Sequence, residues 1–183
     1  MLAWIKFCVA TVGHKMEKFK FIDLFAGIGG FHLALEKLGG TCVFASEIDQ
    51  KARETYLENH GMLPNGDIRA ITAQDRPDSI VDNQIPDHDV LAAGFPCQPF
   101  SLAGVSARNA LGLSHGLLDE AQGTLFYDIA RIVKVKQPKA LLLENVSNIV
   151  RHDGGRTFEV LERIIDDLGY SLSFEILNSQ TLV

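Results

Sequence analysis

Three glycines crowded into four residues, Gly27-Ile28-Gly29-Gly30, separate an apolar and aromatic run (Phe19 to Phe25, FKFIDLF) from a helical pattern (Phe31 to Leu38) that Gly39-Gly40 closes. A strand, a glycine-rich turn and a helix in that order open a nucleotide-binding α/β fold. The turn reads GxGG and not GxGxxG, because His32 stands where the last glycine would be. A pyrophosphate needs the close backbone approach those glycines allow, so the turn suits a ligand without phosphates at that point.

The next strand-like run, Thr41 to Ala45 (TCVFA), ends in Ser46-Glu47-Ile48-Asp49, ahead of a helix over Gln50 to Asn59. An acidic residue about twenty positions after the first glycine commonly accepts hydrogen bonds from ribose hydroxyls. Glu47 fills that role and implies an adenosine-containing ligand, while Asp49 serves as the helix N-cap. Asn65-Gly66-Asp67-Ile68 reads as a short third strand whose Asp67 accepts from an adenine amino group, or as a plain turn. Residues 72–89 read as a loop or short helix, with His88 a solvated loop histidine.

Val90 to Phe95 is a short buried strand that stops at Pro96. Cys97 follows at once, and Pro99 stiffens the turn that presents it. In open α/β sheets ligands sit beyond the carboxyl ends of strands. Cys97 is therefore a nucleophile at a strand mouth or a buried structural thiol. Leu102 to Gln122 lacks periodicity and reads as a functional loop able to close over a substrate, or as a mobile surface loop. A helix from Gly123-Thr124-Leu125-Phe126 through Val135 leads, past Pro138, to the apolar strand Lys139 to Leu143, which ends in Glu144-Asn145-Val146. A carboxyl at that strand end is partly desolvated, which raises its pKa and suits a general acid; a salt-bridged carboxylate is the alternative. An amphipathic helix over 156–168 and a sixth strand over Tyr170 to Leu177 follow. The β-α alternation implies a mostly parallel sheet with right-handed crossovers and helices on both faces.

The 183 residues suffice for one domain with its own core. Three cysteines, Cys8, Cys42 and Cys97, without metal-ligand spacing argue for a reducing compartment and against a disulfide framework or a zinc site. No apolar run is long enough to span a membrane. Residues 1–15 read as a leader outside the domain, which then covers residues 16–183. The net charge of −6 is unlike that of a domain that grips nucleic acid by itself.

Four strand ends thus carry Gly27/Gly29/Gly30, Glu47, Cys97 and Glu144. At this point the sequence resembles the cytosine-C5 DNA methyltransferases. Asp23 to Gly30 (DLFAGIGG) is similar to their first motif, Gly94 to Ser101 (GFPCQPFS) to their catalytic motif, Glu144-Asn145-Val146 to their ENV motif and Gly123 to Phe126 to their GTLF segment. The resemblance covers about residues 19–180 and implies a Rossmann-like S-adenosylmethionine-dependent methyltransferase fold. It implies Cys97 as the nucleophile that adds to cytosine C6 and Glu144 as the acid at N3. It also implies S-adenosylmethionine held by Phe25, Gly27, Gly29, Gly30, Glu47, Ile48, Asp67, Ile68 and Leu125, and a flipped base met by Pro96, Gln98 and Ser101.

Gln122 stands where many members carry an arginine. The family continues past the position of Val183 with an antiparallel strand beside the strand at 139–143, a target-recognition domain and a returning helix. The chain is accordingly expected to be an incomplete catalytic domain, truncated before its last antiparallel strand, with an open edge on the strand at 139–143. Alone it is expected to be weakly active or inactive. Double-stranded DNA is the expected partner, contacted mostly through the recognition domain, with a second subunit that supplies the C-terminal motifs as an option. An RNA (tRNA) cytosine-C5 methyltransferase, or an inactive cofactor-binding fragment, is the alternative.

Overall fold

The computed structural model of the protein describes residues 18–96 and 125–177, together with the backbone of residues 2–6. Cys97, Gln98, Ser101 and the segment Leu102 to Gln122 lie outside the described residues. Six strands form one sheet: β1 (Leu2–Lys6), β2 (Phe19–Leu24), β3 (Gly40–Ser46), β4 (Val90–Gly94), β5 (Ala140–Val146) and β6 (Ser173–Leu177). Their spatial order is β3-β2-β4-β5-β1-β6. The pairs β2/β3, β2/β4 and β4/β5 are parallel, and β1 runs antiparallel to both β5 and β6.

The strands are apolar on both sides because both sides are covered. Successive side chains point to opposite faces. Ile22, Leu24, Leu91, Ala93, Leu141 and Leu143 enter one large core. Across it lie α3 (Arg69–Thr72), α4 (Asp78–Gln84), α5 (Leu125–Lys136) and α6 (Arg156–Asp167). On α6, Phe158, Leu161, Ile164 and Ile165 recur at helical spacing and are buried, each burial stabilising by about 1.5–3 kcal/mol. Phe21 and Ala92 face the other way, against Leu35 of α1 (Gly30–Lys37), with α2 (Gln50–His60) on the same side through Tyr56. Arg131 locks α5 onto α3 and α4. Its guanidinium donates to the carbonyls of Thr72, Ala73 and Arg76 and pairs with Asp78 at 3.0 Å.

The helix ends follow the sequence signals. Asp49 caps α2 by accepting from the Ala52 amide at 2.8 Å, and Gly61, in the left-handed region, ends it. Three expectations change. Asn65 makes a single parallel bridge to Ser46 and no third strand forms, because Asp67 turns the chain into α3 by accepting from the Arg69 amide at 3.0 Å. His88 is buried and not solvated: its Nδ1 lies 2.8 Å from the Pro86 carbonyl at the foot of β4, and burial lowers its pKa. Residues 2–6 are not a leader outside the sheet, since β1 lies between β5 and β6. Strand β5 therefore has no open edge along Leu142 to Val146.

Candidate active site

The carboxyl ends of β2 and β3 build the first half of the site. Phe25 follows β2 with a left-handed φ of 55°, a conformation bulky side chains avoid and one that persists where surrounding structure imposes it. The chain then enters the glycine turn. Glu47, just past β3, holds that turn: its Oε2 accepts from the Gly27 amide at 2.8 Å, and its Oε1 accepts from the Asp49 amide at 2.8 Å. Each oxygen keeps a lone pair for a further donor. Phe25, Ser46, Glu47, Ile48, Asp67, Ile68, Arg69 and Leu125 line one cavity beside the turn. Its cation, Arg69, is engaged with Asp67 at 2.6 Å. That pairing holds the Asp67 carboxyl below its usual range. An aromatic ring, apolar walls and carboxylate acceptors without an unpaired cation suit a nucleoside lacking phosphates.

Beneath the turn lies a buried polar cluster. Asp23 is fully buried, and burial raises its pKa to about 7 against the hydrogen bonds from Tyr56 and the His32 backbone. The Tyr56 hydroxyl donates to Asp23 Oδ2 at 3.4 Å and lies 2.7 Å from His32 Nδ1. The His32 ring stacks on His60 at 4.0 Å between centroids. A Cβ placed on Gly29, whose φ is 95°, would fall 2.1 Å from His60 Nε2. Glycine is thus required at position 29 twice over, by conformation and by space.

The ends of β4 and β5 form the second half. Gly94 pairs in register with Glu144, so the glutamate stands beside the strand that leads into Pro96 and Cys97. A Cβ on Gly94 would lie 3.3 Å from Glu144 Oε2, so this glycine leaves room for the carboxyl. Burial raises the pKa of Glu144. Asn145 Nδ2 donates to the Phe95 carbonyl at 2.6 Å and its Oδ1 accepts from the Val146 amide, which ties the two strand ends together. Pro96 is exposed at the mouth.

Six residues singled out from the sequence (Phe25, Glu47, Ile48, Asp67, Ile68 and Leu125) line one cavity, Gly27 is bonded to one of them, and Gly29 and Gly30 begin α1. Sequence reasoning missed Asp23, Tyr56, His60, Arg69 and Asn145. An acidic residue inside an apolar strand was the available signal for Asp23. The roles of Tyr56, His60 and Asn145 depend on partners far along the chain, whereas Arg69 pairs with Asp67 two residues before it.

The family model of the C-5 cytosine-specific DNA methylases matches residues 19–182. The chain is 46% identical over 172 residues to a DNA-cytosine methyltransferase of Escherichia coli K12, covering 87% of this chain and 36% of that protein. It is 49% identical over 161 residues to the type II methyltransferase M.NgoBI of Neisseria gonorrhoeae, covering 88% and 45%. The S. pombe Dnmt2 methyltransferase structure superposes with a TM-score of 0.55 at 24% identity, over 82% of this chain and 41% of that one, and shares the fold. The chain therefore spans less than half the length of these relatives. No helix among the described residues is long and apolar enough to cross a membrane. With the motifs at four strand ends and the family match along nearly the whole domain, the chain belongs to the C-5 cytosine-specific DNA methylase family.

Proposed function

We propose that this chain carries the catalytic and cofactor-binding machinery of a DNA (cytosine-5-)-methyltransferase that uses S-adenosylmethionine and double-stranded DNA. The observation that supports it most is the adjacency of Glu144 to Gly94, three residues before Cys97 in sequence, across the β4/β5 pair, on the same sheet end as the Glu47 cavity. Phe25, Ile48, Ile68 and Leu125 would enclose the adenosine part, Glu47 would take the ribose hydroxyls, Asp67 the adenine amino group, and the Gly27–Gly30 turn would lie against the remainder. Bound S-adenosylmethionine supplies an electrophilic methyl group on a sulfonium.

The chain's own residues do the rest. Cytosine C5 is a poor nucleophile. The Cys97 thiolate adds to C6, forming an S–C6 bond and pushing electron density toward C5. Glu144, whose burial favours its protonated form, shares its proton with N3 and disperses the charge that builds on the ring. Once C5 carries the methyl group, loss of the C5 proton breaks the S–C6 bond and returns Cys97. Pro96 sets the approach of Cys97, and Gln98 and Ser101 contact the flipped base. Type II relatives favour a restriction–modification setting in a bacterial cytoplasm.

The test is covalent trapping. Mixing the chain with S-adenosylmethionine and duplex DNA containing 5-fluorocytosine, alone and with the C-terminal remainder of a relative added, is expected to give a denaturation-resistant adduct that Cys97→Ser abolishes. Absence of an adduct under both conditions overturns the reading, and an adduct with tRNA only moves the substrate to RNA.

A further inference from the structure

Two imidazoles and a carboxylate meet between α1 and the end of α2. His32 and Glu36 stand four residues apart on α1 and so share a helix face. His60 is the last residue of α2, and its ring stacks on that of His32 at 4.0 Å, with 14° between the planes. One ligand atom from each of His32, Glu36 and His60 lies within 4.8 Å of the other two. Among the described residues this is the one such group of three drawn from His, Cys, Asp and Glu. None of its members lines the cavity around Glu47.

The hydrogen bonds leave a lone pair on each ring. The Tyr56 hydroxyl gives its proton to Asp23 Oδ2 at 3.4 Å. His32 Nδ1, 2.7 Å from the same hydroxyl, must therefore donate to it, and His32 Nε2 keeps its lone pair. An imidazole whose other nitrogen is held in this way, through Tyr56 to a carboxylate, has the fixed tautomer that metal-ligating histidines show. His60 Nε2 lies 3.3 Å from the Ile28 carbonyl, which can only accept, so the proton sits there and the lone pair is on Nδ1. Gly29 makes room for that ring, since a Cβ at this position would fall 2.1 Å from His60 Nε2. The absent side chain of the turn is what lets His60 reach His32.

We propose that His32, Glu36 and His60 form a binding site for one Zn²⁺ ion, which ties the start of α1 to the end of α2 beside the glycine turn. Two imidazoles and one carboxylate are the donor types zinc takes, and water completes the four positions. A tetrahedral ion with donors at about 2.0–2.2 Å holds them roughly 3.3–3.6 Å apart. The three donors need only close in from their present spacing, and the exposed Glu36 and half-buried His60 are free enough to do so. The cysteine pattern that argues against a zinc site does not bear on this one, because no thiol takes part. The ion's role is to restrain the turn at Gly29 and Gly30, where α1 begins. It takes no part in methyl transfer, so the site stands or falls apart from the function proposed above.

The experiment titrates the full, untagged chain, first stripped of metal by a chelator, with Zn²⁺ in a calorimeter and with Co²⁺ in an absorption cell. One ion per chain is expected to bind saturably. Cobalt is expected to show the visible bands of a tetrahedral centre and no sulfur-to-metal charge-transfer band. Glu36→Gln and His60→Ala are each expected to weaken Zn²⁺ binding at least tenfold while keeping the parent's circular dichroism. Amides of 29–32 are expected to exchange at least threefold more slowly when Zn²⁺ is added to the parent, and to be unaffected by it in either variant. Equal zinc affinity in the parent and both variants, a cobalt spectrum dominated by thiolate, or no saturable binding to the folded parent would each overturn the proposal.

Discussion

The Gly27 amide donates to Glu47 Oε2 at 2.8 Å, so the acidic residue past β3 anchors the glycine turn past β2 before any ligand arrives. The same carboxylate binds the Asp49 amide through its other oxygen and thereby connects the turn to the start of α2. One side chain both shapes the cavity and offers its remaining lone pairs to it.

Glu47→Ala removes two hydrogen bonds to a charged acceptor, each worth about 1.5–3 kcal/mol. S-adenosylmethionine affinity measured by calorimetry is expected to fall by at least tenfold. Glu47→Gln keeps an acceptor for one amide and is expected to fall between the two.

Gly29→Ala sets a methyl group against the His60 ring and forces a side chain into the left-handed region. Strain and overpacking together are expected to cost about 2–4 kcal/mol in urea unfolding. Adding His60→Ala removes the clash and leaves the backbone strain, so the double variant is expected to recover only part of the loss.

Asp23 sets a pH dependence. Its pKa is raised by burial from 3.8 to about 7 in the folded chain, so the folded state holds the proton more tightly than the unfolded one. This contribution is fully present below pH 4 and is lost as pH rises through 7, a change on the order of 4 kcal/mol. Asp128, raised to about 6 by burial, acts in the same direction. Thermal unfolding between pH 5 and 8 is expected to show Asp23→Asn with a flatter profile than the parent and a higher relative stability at pH 8.

Asn145→Ala leaves the buried Phe95 carbonyl and the part-buried Val146 amide without their side-chain partner. The expected cost is about 1–3 kcal/mol. Because Asn145 ties the strand end before Cys97 to the strand end bearing Glu144, trapping yield is expected to fall further than global stability does. Comparison of the two measurements on one sample checks this.

Much of the site was legible because it is written locally. The glycine turn, the acid past β3 and the Phe95-Pro96 break each follow a strand, the acid Glu144 lies near the end of β5, and strand ends are readable from short apolar runs. Asp23, Tyr56 and Asn145 were not legible in the same way. Tyr56 reads as an ordinary helix residue until its hydroxyl meets Asp23, 33 positions earlier, and Asn145 acts on Phe95, 50 positions away. His88 was misread because polarity in a loop does not report how deeply the loop packs.

The amino-acid sequence alone determined the alternation of strands and helices, the sheet class and the residues gathered at its carboxyl end, since these depend on periodicity and on breaks within a few residues. Tertiary structure alone decided which strands are neighbours, which polar groups are hydrogen-bonded beneath the turn, and that residues 2–6 lie between β5 and β6. Those outcomes rest on backbone hydrogen bonds and burial between segments far apart in the chain. Such pairing has no local periodicity to announce it, and the Leu2–Lys6 strand, apart from its position, looks like any short apolar run.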